Sequence, residues 1–266
     1  MRTIVRTIWL NLALAASAVA VVDGAAWAEL ASYRAVYAMT LASTRSASEI
    51  TDLSGKMALE FVDVCDGWTV EQRIALLMVN PDGREARTYT SFISWEAKDG
   101  TRFRFEQQTL LDGKTIEEIS GQAVLEPAKG GIAYLTKPEK VEIPLPRGTL
   151  FPSRHTVELI ARAQAGESHF LSVVFDGSTL ENPNQVSAFI GAPTTLKGLG
   201  EGDGEQTAWP VRVAFFGLKQ HTPEPDIEIG LMLQADGVAR EVDLDYQGFT
   251  IHGELASFES LPPMDC

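Results

Sequence analysis

The sequence predicts an all-β protein built on one large, curved antiparallel sheet of about a dozen strands, closed or nearly closed, with one helix. Three observations predict it. Most of the chain alternates apolar and polar residues with period 2, the signature of a strand with one buried face. Asp-Gly occurs seven times after residue 28, at 66–67, 82–83, 99–100, 112–113, 176–177, 203–204 and 236–237, and this dipeptide tolerates the positive φ that tight hairpins need. Only one stretch, near 154–165, has helical spacing.

The strands follow in order. Tyr33, Ala35, Tyr37, Met39 and Leu41 share a face against Ser32, Arg34 and Thr40. Leu53, Met57, Leu59 and Phe61 alternate with Ser54, Lys56 and Glu60, and Trp68, Val70, Ile74, Leu76 and Met78 with Thr69, Glu71 and Arg73. The same reading puts Tyr89, Ile93 and Trp95 on an apolar face, then Phe103 and Phe105, and later Leu171, Val173 and Phe175. Trp209, Val211, Val213 and Phe215 come next, then Ile227, Ile229, Leu231 and Leu233. The last runs are Val238, Val242, Leu244 and Tyr246, followed by Phe249, Ile251 and Leu255. Between 137 and 152 stand Pro138, Pro144, Pro146 and Pro152, which predict an extended crossover and not a central strand. In the helix, Ser153 is the expected N-cap, Val157, Ile160 and Ala161 share a face, and Gly166 is the expected stop. The Gly-rich acidic stretch from Gly191 to Gln206 reads as an exposed loop. A sheet this long encloses either packed side chains or a ligand cavity, and periodicity does not separate the two.

Residues 1–28 read as a cleaved signal peptide. Arg2 and Arg6 form its positive start, Ile8 to Val22 its apolar run, and Ala26-Trp27-Ala28 its cleavage site. The apolar run is shorter than the ~20 residues of a membrane-spanning helix, and the alternative is an uncleaved anchor. No Cys follows it as a lipid attachment point. Residues 29–266 are then expected as a single domain. The formal charge of −14 argues against nucleic acid, which needs a basic face, and against docking on anionic lipid. Losing Arg2, Arg6 and Asp23 takes it to about −15. In an oxidising compartment the even count of thiols, Cys65 and Cys266, suggests one bridge. Two free thiols or an intermolecular bridge are the alternatives.

No catalytic, cofactor or metal signature stands out. His155, His169, His221 and His252 have no metal-ligand spacing. Ser153 and His155 are two apart on a helix and do not face each other. Asp243, Asp245, Gln247 and Glu254 nearly fit a calcium loop, but their flanks alternate as strands where that motif needs helices. Gly198, Gly200, Gly202 and Gly204 are interleaved with Glu201, Asp203 and Glu205, which would repel phosphate. Trp68, Met78, Trp95, Phe103, Phe105, Trp209, Phe215 and Met232 are core residues or the lining of an apolar cavity.

The exported precursor, the opening strand Tyr33–Leu41, the helix start Phe151-Pro-Ser-Arg-His155, and Cys65 paired with a Cys at the very end resemble the cell envelope integrity proteins of the EipB type. These are found in alphaproteobacteria and were long classed as a domain of unknown function. The resemblance spans essentially residues 29–266. It implies a β-spiral or broken barrel of about 12–14 strands with one or two short helices, clamped by one disulfide between Cys65 and Cys266. It further implies a monomeric periplasmic protein, like the LolA and LolB lipoprotein carriers in fold, that protects the envelope against stress. No catalytic, cofactor or metal residue carries over. The reading is thus a non-enzymatic protein whose β-cup binds a lipid, a lipoprotein or an envelope protein partner. The alternatives are a solid-core scaffold without a ligand cavity and an uncharacterised periplasmic hydrolase.

Overall fold

The structure, a computed structural model, describes residues 30–266 apart from 46–47, 127, 181–182, 201–203, 219–222, 263 and 265. The signal peptide expected at 1–28, His221, Glu201, Gly202 and Asp203 lie outside the described residues.

The described residues form sixteen strands and one helix. In chain order the first strands are β1 (Tyr33–Thr44), β2 (Asp52–Asp63), β3 (Gly67–Val79), β4 (Glu85–Ala97), β5 (Arg102–Leu111), β6 (Lys114–Glu126), β7 (Gly130–Lys137), β8 (Val141–Leu145) and the two-residue β9 (Thr149–Leu150). After α1 (Pro152–Gln164) come β10 (His169–Val174), β11 (Asn184–Ile190), β12 (Thr194–Lys197) and β13 (Glu205–Gly217). The chain closes with β14 (Ile227–Gln234), β15 (Ala239–Tyr246) and β16 (Phe249–Ser260). They form one sheet in the order β8-β7-β6-β5-β4-β3-β2-β1-β16-β15-β14-β13-β11-β10-β9, with β12 paired to β13. Pairing is antiparallel throughout except between β9 and β10. β1 joins the early meander to the late one by pairing with both β2 and β16.

The sheet is a nearly closed barrel whose two ends meet through side chains. Phe175, just past β10, meets the inward face of β5, its ring 5.5 Å from Phe105 and 6.4 Å from Phe103. Phe151, at the start of α1, stacks on Phe103 at 5.1 Å. Gln107 Nε2 donates to Ser178 O at 2.9 Å. A buried aromatic cluster therefore joins the ends where a ladder would close a true barrel, and such ring pairs contribute beyond their buried area. The free edge at β8 carries Pro144, which removes a donor from the ladder and blunts the edge.

The core has three parts. One is the aromatic cluster on β5–β7. A second joins Tyr33, Tyr37 and Met39 of β1 to Leu53 and Met57 of β2 and Ile251 of β16. The third seats Val157, Leu159 and Ile160 of α1 against Phe170, Val186, Trp209 and Val211. The disulfide joins Cys65, in the turn between β2 and β3, to Cys266, with Cα atoms 5.8 Å apart and 201 residues between them in sequence. Cys65 itself adopts the positive φ (65°) of that turn, and its N–H donates to Asp63 Oδ1 at 3.0 Å.

Several expectations are corrected. The strands number sixteen, against the expected 12–14. The proline-rich stretch 137–152 contains β8 and β9, which the prolines permit because both are edge strands. The stretch from Gly191 to Gln206 contains β12, paired to β13 alone. Tyr89, Ile93 and Trp95 point outward, Ile93 being 49% exposed, while Phe92, Ser94 and Glu96 face in. Leu171, 68% exposed, and Val173 likewise face out, since Phe170 and Val174 take the buried positions. On both strands each face carries polar and apolar residues alike, so alternation fixes the period without the phase. Ser153 does not cap α1. The N-cap is Phe151, which offers no side-chain acceptor.

Candidate functional site

The acceptor at the start of α1 comes from 57 residues earlier in the chain. Glu96, on the inward face of β4, accepts from Ser153 N at 2.6 Å and Arg154 N at 2.7 Å. Two otherwise orphaned helix donors are thereby satisfied, and the carboxylate sits at the positive end of the helix dipole. Glu96 is buried, and that burial pushes its pKa from 4.5 up to about 7 despite the pull of the Ser153 and Arg154 N–H groups. α1 is thus anchored by its first turn to the inner wall of the barrel.

At the next residue, the His155 ring lies 5.3 Å from Phe170, nearly parallel to it, with the Arg162 guanidinium over Phe170 as well. His155 is buried, its Nε2 has no hydrogen-bond partner, and burial pushes its pKa from 6.5 down to about 4. Burial thus favours its neutral imidazole form. Ser153 and His155 make no pair, and Ser153 is engaged with Glu96.

The barrel is not filled beside this helix. A cavity of about 240 Å³ lies between the first turns of α1 and the inner faces of β13–β15, walled by His155, Leu159, Val213, Phe215, Ile229 and Leu231. A second, of about 170 Å³, lies on the other side of the helix start against Tyr33, Leu59, Phe61 and Val70. Away from the helix the inner wall stays apolar but only half-buried, at Ile74, Leu76, Met78, Leu244 and Phe249. The interior is a cup with an apolar lining, plugged at one end by α1. Among the residues named from sequence as core or cavity lining, Phe215 lines the cavity, Met78 the half-buried wall, and Trp68, Phe103, Phe105 and Trp209 are packed core.

A separate concavity of about 660 Å³ lies on the outer face of β2–β7, between Ile93, Trp95, Arg104, Glu106, Gln122 and Tyr134. Trp95 is covered there by Arg102 and Arg104, whose guanidinium carbons lie 5.4 and 4.9 Å from the ring centroid.

The two other histidines among the described residues, His252 and His169, stand apart from these spaces. His252 Nδ1 pairs with Asp243 Oδ1 at 2.7 Å on the surface, across the β15–β16 ladder. His169 Nδ1 pairs with the neighbouring Ser168 Oγ at 2.8 Å, exposed. Asp243 and Asp245 are strand residues flanked by strands, and Asp245 is held by Arg45 at 3.3 Å. No group of three or more His, Cys, Asp or Glu among the described residues is arranged to hold a metal ion. No helix among them is long and apolar enough to cross a membrane. Sequence reasoning missed Glu96, because with Ile93 and Trp95 read as the inward face of β4 it fell on the outward one, and only the distant helix start turns it in.

Three comparisons bear on this arrangement. The EipB-like family matches residues 24–262. The cell envelope integrity protein EipB of Brucella abortus (strain 2308) is 31% identical over 261 residues, covering 94% of this chain and 89% of the relative. A crystal structure of a β-barrel-like protein of a domain of unknown function from Brucella abortus superposes with a TM-score of 0.82 at 28% identity. That match covers 88% of this chain and 99% of that one.

Proposed function

The chain belongs to the EipB-like family, and from that premise we propose that it is a non-enzymatic periplasmic protein that maintains the cell envelope. Its β-cup takes the apolar part of a lipid, a lipoprotein or an envelope protein. The family relationship supports the envelope role, since the Brucella relative carries that role in its name. The segment at 1–28 and the disulfide support export to an oxidising compartment.

The observation that carries the binding role is the half-buried apolar wall running from Met78 to Phe249, continuous with an unfilled cavity beside α1. An apolar side chain contributes ~1.5–3 kcal/mol when fully withdrawn from water. Residues left halfway have part of that still to gain, and an acyl chain entering the cup supplies it. The charge of −14 disfavours attraction to an anionic membrane surface, so recognition is by apolar contact. The disulfide ties the tail after β16 to the β2–β3 turn and so holds one wall of the cup.

Titration of the mature protein with a fluorescent fatty-acyl probe tests this. Saturable binding with a blue-shifted emission is expected, together with envelope-stress sensitivity in a strain lacking the protein. A flat titration combined with no envelope partner in pull-downs would reduce the cup to a core. The outer concavity favours a second reading, a protein-docking scaffold, because Ile93 and Tyr134 stand exposed beside it.

A further inference from the structure

The outer concavity of about 660 Å³ has no part in the cup, and its size is that of a ligand site. Strand register sets its floor. Thr69 of β3, Trp95 of β4, Arg104 of β5, Gln122 of β6 and Tyr134 of β7 are successive cross-strand partners, one on each strand, in a single row. At roughly 4.8 Å between strands the row spans about 19 Å. Glu71, Ile93, Glu106 and Ser120 form the next row on the same face. The hollow includes Ser120 and Gly121, which are small, and the β6–β7 ladder slips register between them. A bulge of this kind re-aims the neighbouring side chains.

The lining has a definite chemistry. The Trp95 ring is covered by Arg102 and Arg104 at 5.4 and 4.9 Å from its centroid, and this contact holds the Arg104 guanidinium in place. Of the carboxylates, Glu60 is paired with Arg34 and Glu71 with Arg73. Arg104 and Glu106 are left without an ion pair of their own among the described residues. Lys137, which feels the Glu106 charge, is bonded to Glu118 at 2.5 Å. Gln122, between Arg104 and Tyr134 in the row, is exposed and makes no side-chain hydrogen bond among the described residues. The hollow therefore offers a forked donor, a two-oxygen acceptor and an amide that does both. Their charges sum to zero, and they stand beside the exposed apolar surface of Ile93 and Tyr134.

We propose that this hollow binds a neutral glycan chain. A pyranose ring presents both chemistries at once. Its C–H-rich face packs on Tyr134 and Ile93, and its adjacent hydroxyls are gripped in pairs by the guanidinium, the carboxylate and the amide. The row across five strands lets rings follow one another along the face. Charge selects against other occupants: an anionic polymer meets Glu106, with Glu71 and Glu60 behind it, and a polycation meets Arg104. The site lies outside the cup and is independent of acyl binding.

The test is calorimetric titration of the full mature protein with two neutral hexasaccharides, cellohexaose and chitohexaose. A galacturonate hexamer and fully deacetylated chitohexaose serve as the anionic and cationic counterparts. At least one neutral hexasaccharide should bind saturably, and both charged ones at least tenfold more weakly. Tyr134→Ala should raise the Kd of the neutral sugar about tenfold, as loss of an aromatic anchor does, whereas Tyr134→Phe, which keeps the ring, should leave it nearly unchanged. Gln122→Met should raise it about three- to tenfold, the worth of a hydrogen bond. Both positions are exposed, so the variants should melt with wild type and take up a fatty-acyl probe as wild type does. Absence of saturable binding by either neutral hexasaccharide, equal or tighter binding of a charged one, or an unchanged Kd in Tyr134→Ala overturns the proposal. An envelope protein captured by wild type and lost with Tyr134→Ala, where no sugar binds, also overturns it and assigns the hollow to protein docking. None of these results bears on the cup, which the acyl titration tests by itself.

Discussion

Replacing His155 by Leu should change how the stability of the protein responds to acid. Two buried titratable groups stand at the start of α1 and act in opposite senses. Glu96 has its pKa raised on folding from 4.5 to about 7. Between those values the native protein keeps a proton that the unfolded chain has lost, so this group's contribution weakens as pH rises through that window. His155 has its pKa lowered on folding from 6.5 to about 4. Between those values the unfolded chain binds a proton that the native protein refuses, so its contribution weakens as pH falls through that window. At 1.36 kcal/mol per pH unit, each displacement is worth about 3 kcal/mol. In wild type the two slopes oppose each other between pH 4.5 and 6.5 and nearly cancel. Without His155 the Glu96 slope stands alone, and the variant should gain about 3 kcal/mol on wild type as pH falls from 7 to 4. Denaturant unfolding at half-unit steps from pH 4 to 8, plotted as variant minus wild type, removes the surface carboxylates common to both. Glu96→Gln should give the mirror difference, gaining on wild type as pH rises from 4.5 to 7. Parallel curves for His155→Leu and wild type would refute the neutral burial of His155.

Three further outcomes follow from the fold. Free-thiol titration of the unreduced, unfolded protein should find none. Cys65→Ser should leave Cys266 reactive and lower stability by up to about 5 kcal/mol, the chain-entropy figure for a loop of 201 residues; two reactive thiols in wild type would remove the clamp. Gly177→Ala should destabilise by about 2–4 kcal/mol in denaturant unfolding, because φ there is +69° and a Cβ would fall on the Phe105 ring. A shift within 0.5 kcal/mol would mean that the two ends of the sheet do not meet at that cluster. Phe175→Ala, at the same junction, should cost about 3–5 kcal/mol by the same measurement.

Much of this architecture is legible in the sequence because alternation is a local signal. β1, β2, β3 and β13 turn inward the faces their pattern nominates, packed at Tyr37, Leu53, Trp68 and Trp209 and half-buried at Ile74, Leu76, Met78 and Phe215, and the lone helix lies within two residues of its expected start. What alternation leaves undecided depends on distant parts of the chain. The phase of β4 is set by Glu96, which goes inward because a helix N-terminus from residues 153–154 meets it there. Ser153 has a capping chemistry but is displaced from that role by the same carboxylate. The proline-rich segment holds strands because β8 and β9 fall at the two edges of the sheet, a fact of topology and not of composition. The cavity is illegible for another reason. Val213 and Phe215 follow the same inward pattern as Trp209 and Val211, and only the position of α1 decides which of them are packed and which face space. His155 looks, in sequence, like any histidine on a helix. Only the fold buries its Nε2 and leaves it unpaired.

The most direct test of the central claim, that the barrel is a cup for an acyl-bearing ligand, is the content of the protein as it comes from the cell. Mature protein isolated without detergent from its native envelope, extracted into organic solvent and analysed by mass spectrometry, should yield an acyl species in near-stoichiometric amount. Crystals of the same material should place it against Phe215 and Ile229. Protein that carries no acyl species, shows an unoccupied or water-filled interior and fails to take up fatty-acyl probes would contradict the account.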